Sequence, residues 1–248
     1  GRRQPEPAGI LRNSQHGRTL AAAKIAGLMA GRPAHDVLKE AEARFRCVPA
    51  DMLFYEDFLT SPAERSDLEA LARTRATRFG EADVFLSHSW HDDAEAKWQA
   101  FQDYRSDFVA RHGREPLVWI DKLCIDQTDV EADLRGLPIF ISGCRQLLVL
   151  CGPTYVSRLW CVAELFTYVK MGGNMEGIKF VPLLRSGQHE SDGAAIQRAN
   201  EDFDIQRCSC RVREDKEKVL DVVKIAFGSA ASFNATVHAL LSRVTSAQ

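Results

Sequence analysis

The amino-acid sequence predicts an α/β fold, in which a doubly wound, five-stranded parallel sheet follows a helical extension. From residue 83 onward, short apolar runs alternate with stretches of helical periodicity, the pattern of repeated βα units. The run Leu-Leu-Val-Leu at 147–150 is wholly apolar, as expected of a central strand covered on both faces. We therefore divide the chain into a basic mobile leader (1–35), a helical extension (36–80) and the α/β domain (81–248).

The residues before the α/β domain differ from it in charge and periodicity. The leader has one acidic residue, Glu6, and its basic residues are Arg2, Arg3, Arg12, Arg18, Lys24 and Arg32. Such a segment suits either a solvated linker or contact with an acidic surface, and we favour the linker. One short helix is expected near 19–30. Residues 36–79 read as helices interrupted at Pro49 and Pro62, with a helix start at 61–64.

Five strands and their connecting helices follow in order. The predicted strands are 84–86, 117–120, 147–150, 180–183 and 205–208. Asp92 or Asp93 caps the first helix, which ends near Gly113, and Pro182 places the fourth strand near an edge. Two further helices end near residues 143 and 172–173, and helices at 214–227 and 232–244 close the domain.

Repeated βα units of this kind favour the flavodoxin-like strand order 2-1-3-4-5. In that topology a ligand crevice opens where the strand order reverses, between the carboxyl ends of the first and third strands. The rule points to residues 87–92 and 151–164 as the walls of a site.

Composition excludes several functional classes. The net charge of −2 gives no electrostatic basis for nucleic-acid binding, and no apolar run reaches the roughly 18 residues of a membrane span. The seven cysteines include no C-x-x-C pair, so we expect free thiols in the cytoplasm and no metal site. Neither a P-loop nor a G-x-G-x-x-G motif is present, which disfavours nucleotide-dependent phosphoryl transfer.

Two residues of the third helix stand out. Trp160 and Glu164 are four residues apart and therefore share one helix face, whereas an apolar stripe marks the opposite face. An aromatic ring and a carboxylate beside the crevice suit a binding site. The plainer interpretation is that Trp160 packs on a neighbouring helix and Glu164 pairs with Arg158 or Lys170.

Three motifs carry a family resemblance. Residues 83–93 (D-V-F-L-S-H-S-W-H-D-D) resemble the opening strand and loop of a TIR (Toll/interleukin receptor) domain. Residues 157–165 (S-R-L-W-C-V-A-E-L) resemble the W-C-x-x-E-L helix of that family. Between them, residues 118–127 (V-W-I-D-K-L-C-I-D-Q) resemble the W-I-D-x-x-C-I-x-Q signature of fungal heterokaryon-incompatibility domains, which are similar to TIR domains.

The resemblance implies an NAD nucleosidase that acts in signalling and innate immunity. Glu164 corresponds to the glutamate that enzymatic TIR domains need to cleave NAD at the nicotinamide–ribose bond. The residues expected to line the substrate site are Ser87, His88, Ser89, Trp90, Trp160 and Asp121. NAD would be the substrate, with no separate cofactor, and TIR-like surfaces would support self-association.

Two functional classes stay open at this point. The chain is either an NAD-cleaving enzyme or a non-catalytic interaction module of the same fold. The loop after the second strand has two interpretations, since Asp121 and Cys124 suit either a site or a turn over the core. A phosphoacceptor receiver domain is disfavoured, because Cys151 and Gly152 follow the third strand where that chemistry needs a carboxylate.

Overall fold

A six-stranded, mostly parallel sheet organises the molecule. The computed structural model describes residues 8–59, 72–126, 129–172, 175–210 and 213–245. Within them the strands run in the order β2-β1-β4-β3-β5-β6. Their bounds are β1 Arg46–Pro49, β2 Arg75–Ala76, β3 Ala82–His88, β4 Leu117–Trp119, β5 Cys144–Cys151 and β6 Ile178–Pro182.

Helices connect and cover these strands. They are α1 Ala8–Ala30, α2 Ala34–Arg44, α3 Ala94–His112, α4 Asp121–Cys124, α5 Val130–Gly143, α6 Leu159–Lys170, α7 His189–Glu201, α8 Arg213–Phe227 and α9 Ala230–Thr245. The predicted ends of the first helix are confirmed, because Asp93 caps the amino end of α3 and Gly113 ends it with φ 68°. None of the described helices combines the length and the hydropathy needed to cross a bilayer.

The central part of the sheet matches the prediction. β3 and β5 are adjacent and parallel, with Val84 opposite Gln146 and His88 opposite Leu150. β4 lies on the other side of β3, and β6 pairs with β5 at an edge. The four parallel strands thus follow the predicted order 2-1-3-4. The stacked rings of Phe85 and Trp119, 4.3 Å apart, join β3 to β4 in the core.

The predicted fifth strand at 205–208 is wrong. This segment contains a single 3₁₀ turn, Ile205–Arg207. Side chains satisfy its backbone: Asn234 accepts a hydrogen bond from Ile205 N at 3.1 Å, and Asp204 accepts one from Gln206 N. Because these amides are already paired, and Ile205 is anchored in the core, the segment does not extend the sheet.

The extension is not purely helical, which corrects the prediction for 36–80. After α2, strand β1 pairs antiparallel with β4, and β2 pairs antiparallel with β1. Cys47 and Val48 are fully buried, and Arg46 Nε donates to Thr74 Oγ1 at 2.8 Å. Burial of β1 against the sheet therefore overrides the helical reading of this short segment. The helix start expected at 61–64 lies outside the described residues.

The leader is corrected for residues 8–30, which form a packed helix rather than a mobile segment. The helix expected near 19–30 is part of it, and residues 1–7 lie outside the described residues. Ala22 and Ala26 are fully buried, and such small side chains allow α1 to lie close to α5. Gln15 Nε2 donates to the carbonyl oxygen of Ser142 at 2.6 Å, which ties α1 to the end of α5. The basic residues Arg18 and Lys24 thus belong to a helix of the fold.

Candidate functional site

The carboxyl ends of β3 and β5 lie side by side, where the topology rule places a ligand crevice. Ser87 and His88 are the last residues of β3, and Gly152 directly follows β5. Helix α6, which carries Glu164, begins a short distance after β5. The first and third sequence motifs therefore meet at one edge of the sheet.

Glu164 and Ser87 are in direct contact. Glu164 Oε2 lies 2.5 Å from Ser87 Oγ, so the predicted proximity of these two residues is confirmed. Ser87 Oγ also lies 2.8 Å from the hydroxyl oxygen of Tyr155, which donates to the carbonyl oxygen of Cys161 at 3.2 Å. Tyr155 lies in the segment 151–164 that was expected to form one wall of the site, but it precedes the 157–165 motif and was not singled out from the sequence.

Glu164 is more enclosed than its position opposite the predicted apolar stripe suggests. Its side chain is half-buried, and α6 buries residues outside the predicted apolar stripe as well, including Cys161, Leu165 and Tyr168. Burial and the charge of Asp121 raise the pKa of Glu164 to about 8, although the Ser87 hydrogen bond opposes that shift. Glu164 therefore carries a proton at neutral pH in this conformation.

This raised pKa predicts how stability depends on pH. The unfolded chain loses the Glu164 proton near pH 4.3, whereas the folded protein keeps it up to about pH 8, so stability falls between these values. Glu164→Gln imitates the protonated form. We expect its free energy of unfolding, relative to wild type, to rise by about 2 kcal/mol from pH 5 to pH 8, a value discounted for partial solvent exposure.

Urea unfolding at both pH values measures this difference. Glu42→Gln, at an exposed position on α2, is the matched control, and it should track the wild type at both pH values. A Glu164→Gln variant that also tracks the wild type would contradict the raised pKa.

Trp90 and Asp121 lie together beside the contact between Glu164 and Ser87. The indole Nε1 of Trp90 donates to Asp121 Oδ2 at 3.0 Å, and the ammonium groups of Lys97 and Lys122 lie 5.4 and 5.7 Å from the ring centroid. Asp121 Oδ1 also accepts from Lys122 N at the start of α4, while Cys124 is buried. The loop after the second predicted strand thus starts a helix, covers the core and faces Trp90.

Lys97 is a buried charge that sequence reasoning missed. Its side chain is 0% exposed, and Nζ donates to the carbonyl oxygen of Ser89 at 3.2 Å. Burial lowers the pKa of Lys97 to about 8, while the negative charges of Asp92 and Asp121 oppose this shift. A lysine on an amphipathic helix usually reaches solvent, so no sequence pattern distinguishes Lys97 from a surface residue.

His88 is part of an aromatic cluster. Its ring centroid lies 4.4 Å from that of Trp90 and 5.9 Å from that of Phe58. Among the described residues, neither ring nitrogen has a hydrogen-bond partner of normal geometry. Burial, followed by the charge of Lys97, lowers the pKa of His88 to about 3. His88 is therefore neutral near pH 7.

A second hydrogen-bond group ties the loops after β3 and β5 together. Ser89 Oγ lies 2.7 Å from Thr154 Oγ1, and Asp92 Oδ1 accepts from both the backbone nitrogen and the hydroxyl of Thr154. Gly152 adjoins this group, since a Cβ there would lie 2.3 Å from Cγ of Asp92. We call Ser89, Asp92, Gly152 and Thr154 the loop tie.

Trp160 contacts a different set of residues. It packs against the core and borders a cavity of about 10 Å³ whose other lining residues are Met29, Leu137, Pro138, Ala163, Phe166, Thr167, Val219 and Val222. A wider cavity of about 570 Å³ lies at the α1–α2 turn, beside Lys24 and Arg32. Neither cavity is lined by Ser87 or Glu164, so the plainer interpretation of Trp160, packing between helices, fits the structure.

The cysteines are free thiols, and Cys210 alone among the seven is more than marginally exposed. Cys161 Sγ donates to the carbonyl oxygen of His88 at 3.3 Å, and burial raises the pKa of this thiol well above its ordinary value. It is therefore no nucleophile in this conformation. In the described part of the chain, no cluster of His, Cys, Asp or Glu is arranged to hold a metal ion.

Comparisons of the chain with models of protein families, with curated proteins and with solved structures find no match.

Proposed function

We propose that this chain is a TIR-like domain that cleaves NAD at the nicotinamide–ribose bond, with Glu164 as its essential carboxyl group. The observation that carries the proposal is the contact between Glu164 and Ser87 at the carboxyl ends of β3 and β5. It joins two of the three resembling motifs at the position where doubly wound folds bind ligands. A cytoplasmic location, expected from the free thiols, belongs to the same proposal.

The chemistry needs one carboxylate. The pyridinium leaving group departs as neutral nicotinamide, so no general acid is required. The ribosyl group develops oxocarbenium character, which a nearby anion stabilises. Water then bonds to the reacting ribosyl carbon and releases a proton to solvent, which gives ADP-ribose, or the adenine of the same molecule bonds to it, which gives a cyclic isomer. Glu164 supplies that anion once it is ionised, and the positive charge of bound NAD favours ionisation by lowering its pKa. Substrate binding and proton release are therefore coupled at this residue.

The loop tie and the Trp90–Asp121 hydrogen bond hold the segments after β3, β4 and β5 against one another. We infer that NAD enters when these segments separate, and that packing of a second copy against the loop after β4 favours the open form. Self-association and catalysis are then linked.

The proposal predicts an alkaline pH profile. Because kcat/KM reports the free enzyme, it should rise with the ionised fraction of Glu164, whose pKa is about 8. Between about pH 6.5 and 8.5 we expect an increase of about 25-fold, followed by a plateau. Initial rates of nicotinamide release at low NAD concentration measure it. A profile that is flat or falls over this range would contradict the role of ionised Glu164.

The alternative is a non-catalytic interaction module. The observed arrangement favours it, because Glu164 is protonated and its carboxyl group already contacts Ser87. The two functions differ in a simple measurement. An interaction module self-associates in sedimentation experiments without releasing nicotinamide, whereas the enzyme releases nicotinamide when it is concentrated.

A further inference from the structure

The oxygens around Glu164 form a chain of three close contacts. Glu164 Oε2 lies 2.5 Å from Ser87 Oγ, Ser87 Oγ lies 2.8 Å from Tyr155 Oη, and Tyr155 Oη lies 3.2 Å from the carbonyl oxygen of Cys161. Ser87 and Tyr155 are both buried, with 1% and 0% of their surface exposed. Water therefore has little access to their hydroxyl groups.

The number of available hydrogens fixes which oxygen donates in each contact of this hydrogen-bond chain. Each of the three contacts needs one hydrogen, and the hydroxyls of Ser87 and Tyr155 supply one each. The Cys161 carbonyl has none, so Tyr155 donates to it and must accept from Ser87. Ser87 then has no hydrogen left for the contact with Glu164. The third hydrogen has to be on the Glu164 carboxyl group.

We propose that Tyr155 is a positioning residue that, through Ser87, holds a proton on Glu164, and that the hydroxyl chain reverses when this proton leaves. In the protonated form, Glu164 donates to Ser87, Ser87 to Tyr155, and Tyr155 to the Cys161 carbonyl. On ionisation the proton passes to water. Ser87 then donates to the carboxylate and Tyr155 to Ser87, so Cys161 loses one hydrogen bond.

Taken alone, the Ser87 hydroxyl stabilises the ionised carboxylate. The whole hydrogen-bond chain nevertheless favours the protonated form by about one ordinary hydrogen bond, since that form makes three bonds and the ionised form two. The charged groups facing Glu164 act in the same direction. Asp121, at the start of α4, raises the pKa of Glu164 by repulsion, and the thiol of Cys161 stays neutral. The importance of this hydrogen-bond chain for NAD cleavage rests on the proposed function. The presence of the proton on Glu164 is independent of that function.

Infrared spectroscopy of the ligand-free protein tests the inference. Asp92, Asp121 and Asp133 also have raised pKa values, so the Glu164 band is isolated as wild type minus Glu164→Gln. A protonated carboxyl band is expected at pH 6 and should titrate away near pH 8. Its absence at pH 6 would overturn the inference, whatever the outcome with NAD.

Tyr155→Phe removes the one hydrogen bond by which the protonated form exceeds the ionised form. The pH midpoint at which that band titrates should therefore fall by about half a unit. Tyr168→Phe is the matched control: Tyr168 is equally buried on α6 but faces Arg18. In a Ser87→Ala background, Tyr155→Phe should have no effect. An unchanged or raised midpoint for Tyr155→Phe alone would contradict the proposed hydrogen-bond chain.

Ser87→Ala tests the same hydrogen-bond chain if Tyr155→Phe does not fold. Removal of the Ser87 hydroxyl leaves the Glu164 carboxyl without its acceptor, so its carbonyl band should move to higher frequency. A band that stays in place would show that Glu164 does not donate to Ser87.

Discussion

Replacement of Glu164 by Gln is expected to slow nicotinamide release at least about a hundredfold, the usual scale for losing one strong electrostatic interaction with a transition state. Gln keeps the shape of the side chain and its contact with Ser87, but it cannot become an anion. The variant should therefore bind NAD with little change in affinity while kcat falls.

Glu42→Gln again serves as the control, because it makes the same chemical change at an exposed helix position. Circular dichroism should show Glu164→Gln to be folded, since burial of a protonated carboxyl and of an amide are similar. If the variant turns over at the wild-type rate, Glu164 is not the catalytic group.

Gly152→Ala is expected to destabilise the protein by about 3 kcal/mol, the upper end of the usual cost of inserting a methyl group into packed structure. The new Cβ would lie 2.3 Å from Asp92 Cγ and 2.5 Å from both carboxylate oxygens. Asp92 cannot move aside easily, because its side chain is short and accepts two hydrogen bonds from Thr154.

Two companion variants separate this clash from other effects of the substitution. Gly193→Ala, within α7, meets no atom within 4 Å and should stabilise the protein by about 0.5–1 kcal/mol through helix propensity. In an Asp92→Ala background, Gly152→Ala should cost far less than in the wild type. Thermal or urea unfolding of these variants measures both effects, and equal costs in the two backgrounds would contradict the close packing of the loop tie.

The parallel strands could be predicted because their signals are local. The runs at 84–86 and 147–150 are apolar and lie between helical stretches, and the order of strands then follows from topology. β1 and the 205–208 segment depend on distant partners. β1 pairs with β4, and Asn234 satisfies the backbone of Ile205 from 29 positions away, so neither is evident from its own few residues.

The site was predicted in part for the same reason. Ser87 and Glu164 came from motifs at the expected edge of the sheet, and the structure brings them together. Lys97 and Tyr155 depend on burial, which periodicity does not reveal. Trp160 shares a helix face with Glu164, but α6 is enclosed almost completely, so the two side chains meet different neighbours.

NAD cleavage is tested most directly by measuring nicotinamide release from wild-type protein tethered at high surface density, where copies are in contact and the loops after β4 can pack together. Chromatography should detect nicotinamide that accumulates with time in proportion to protein, and tethered Glu164→Gln should release at most about one hundredth as much. No release from the tethered wild type, or equal release from both proteins, would contradict catalysis by Glu164 and leave the interaction module as the function.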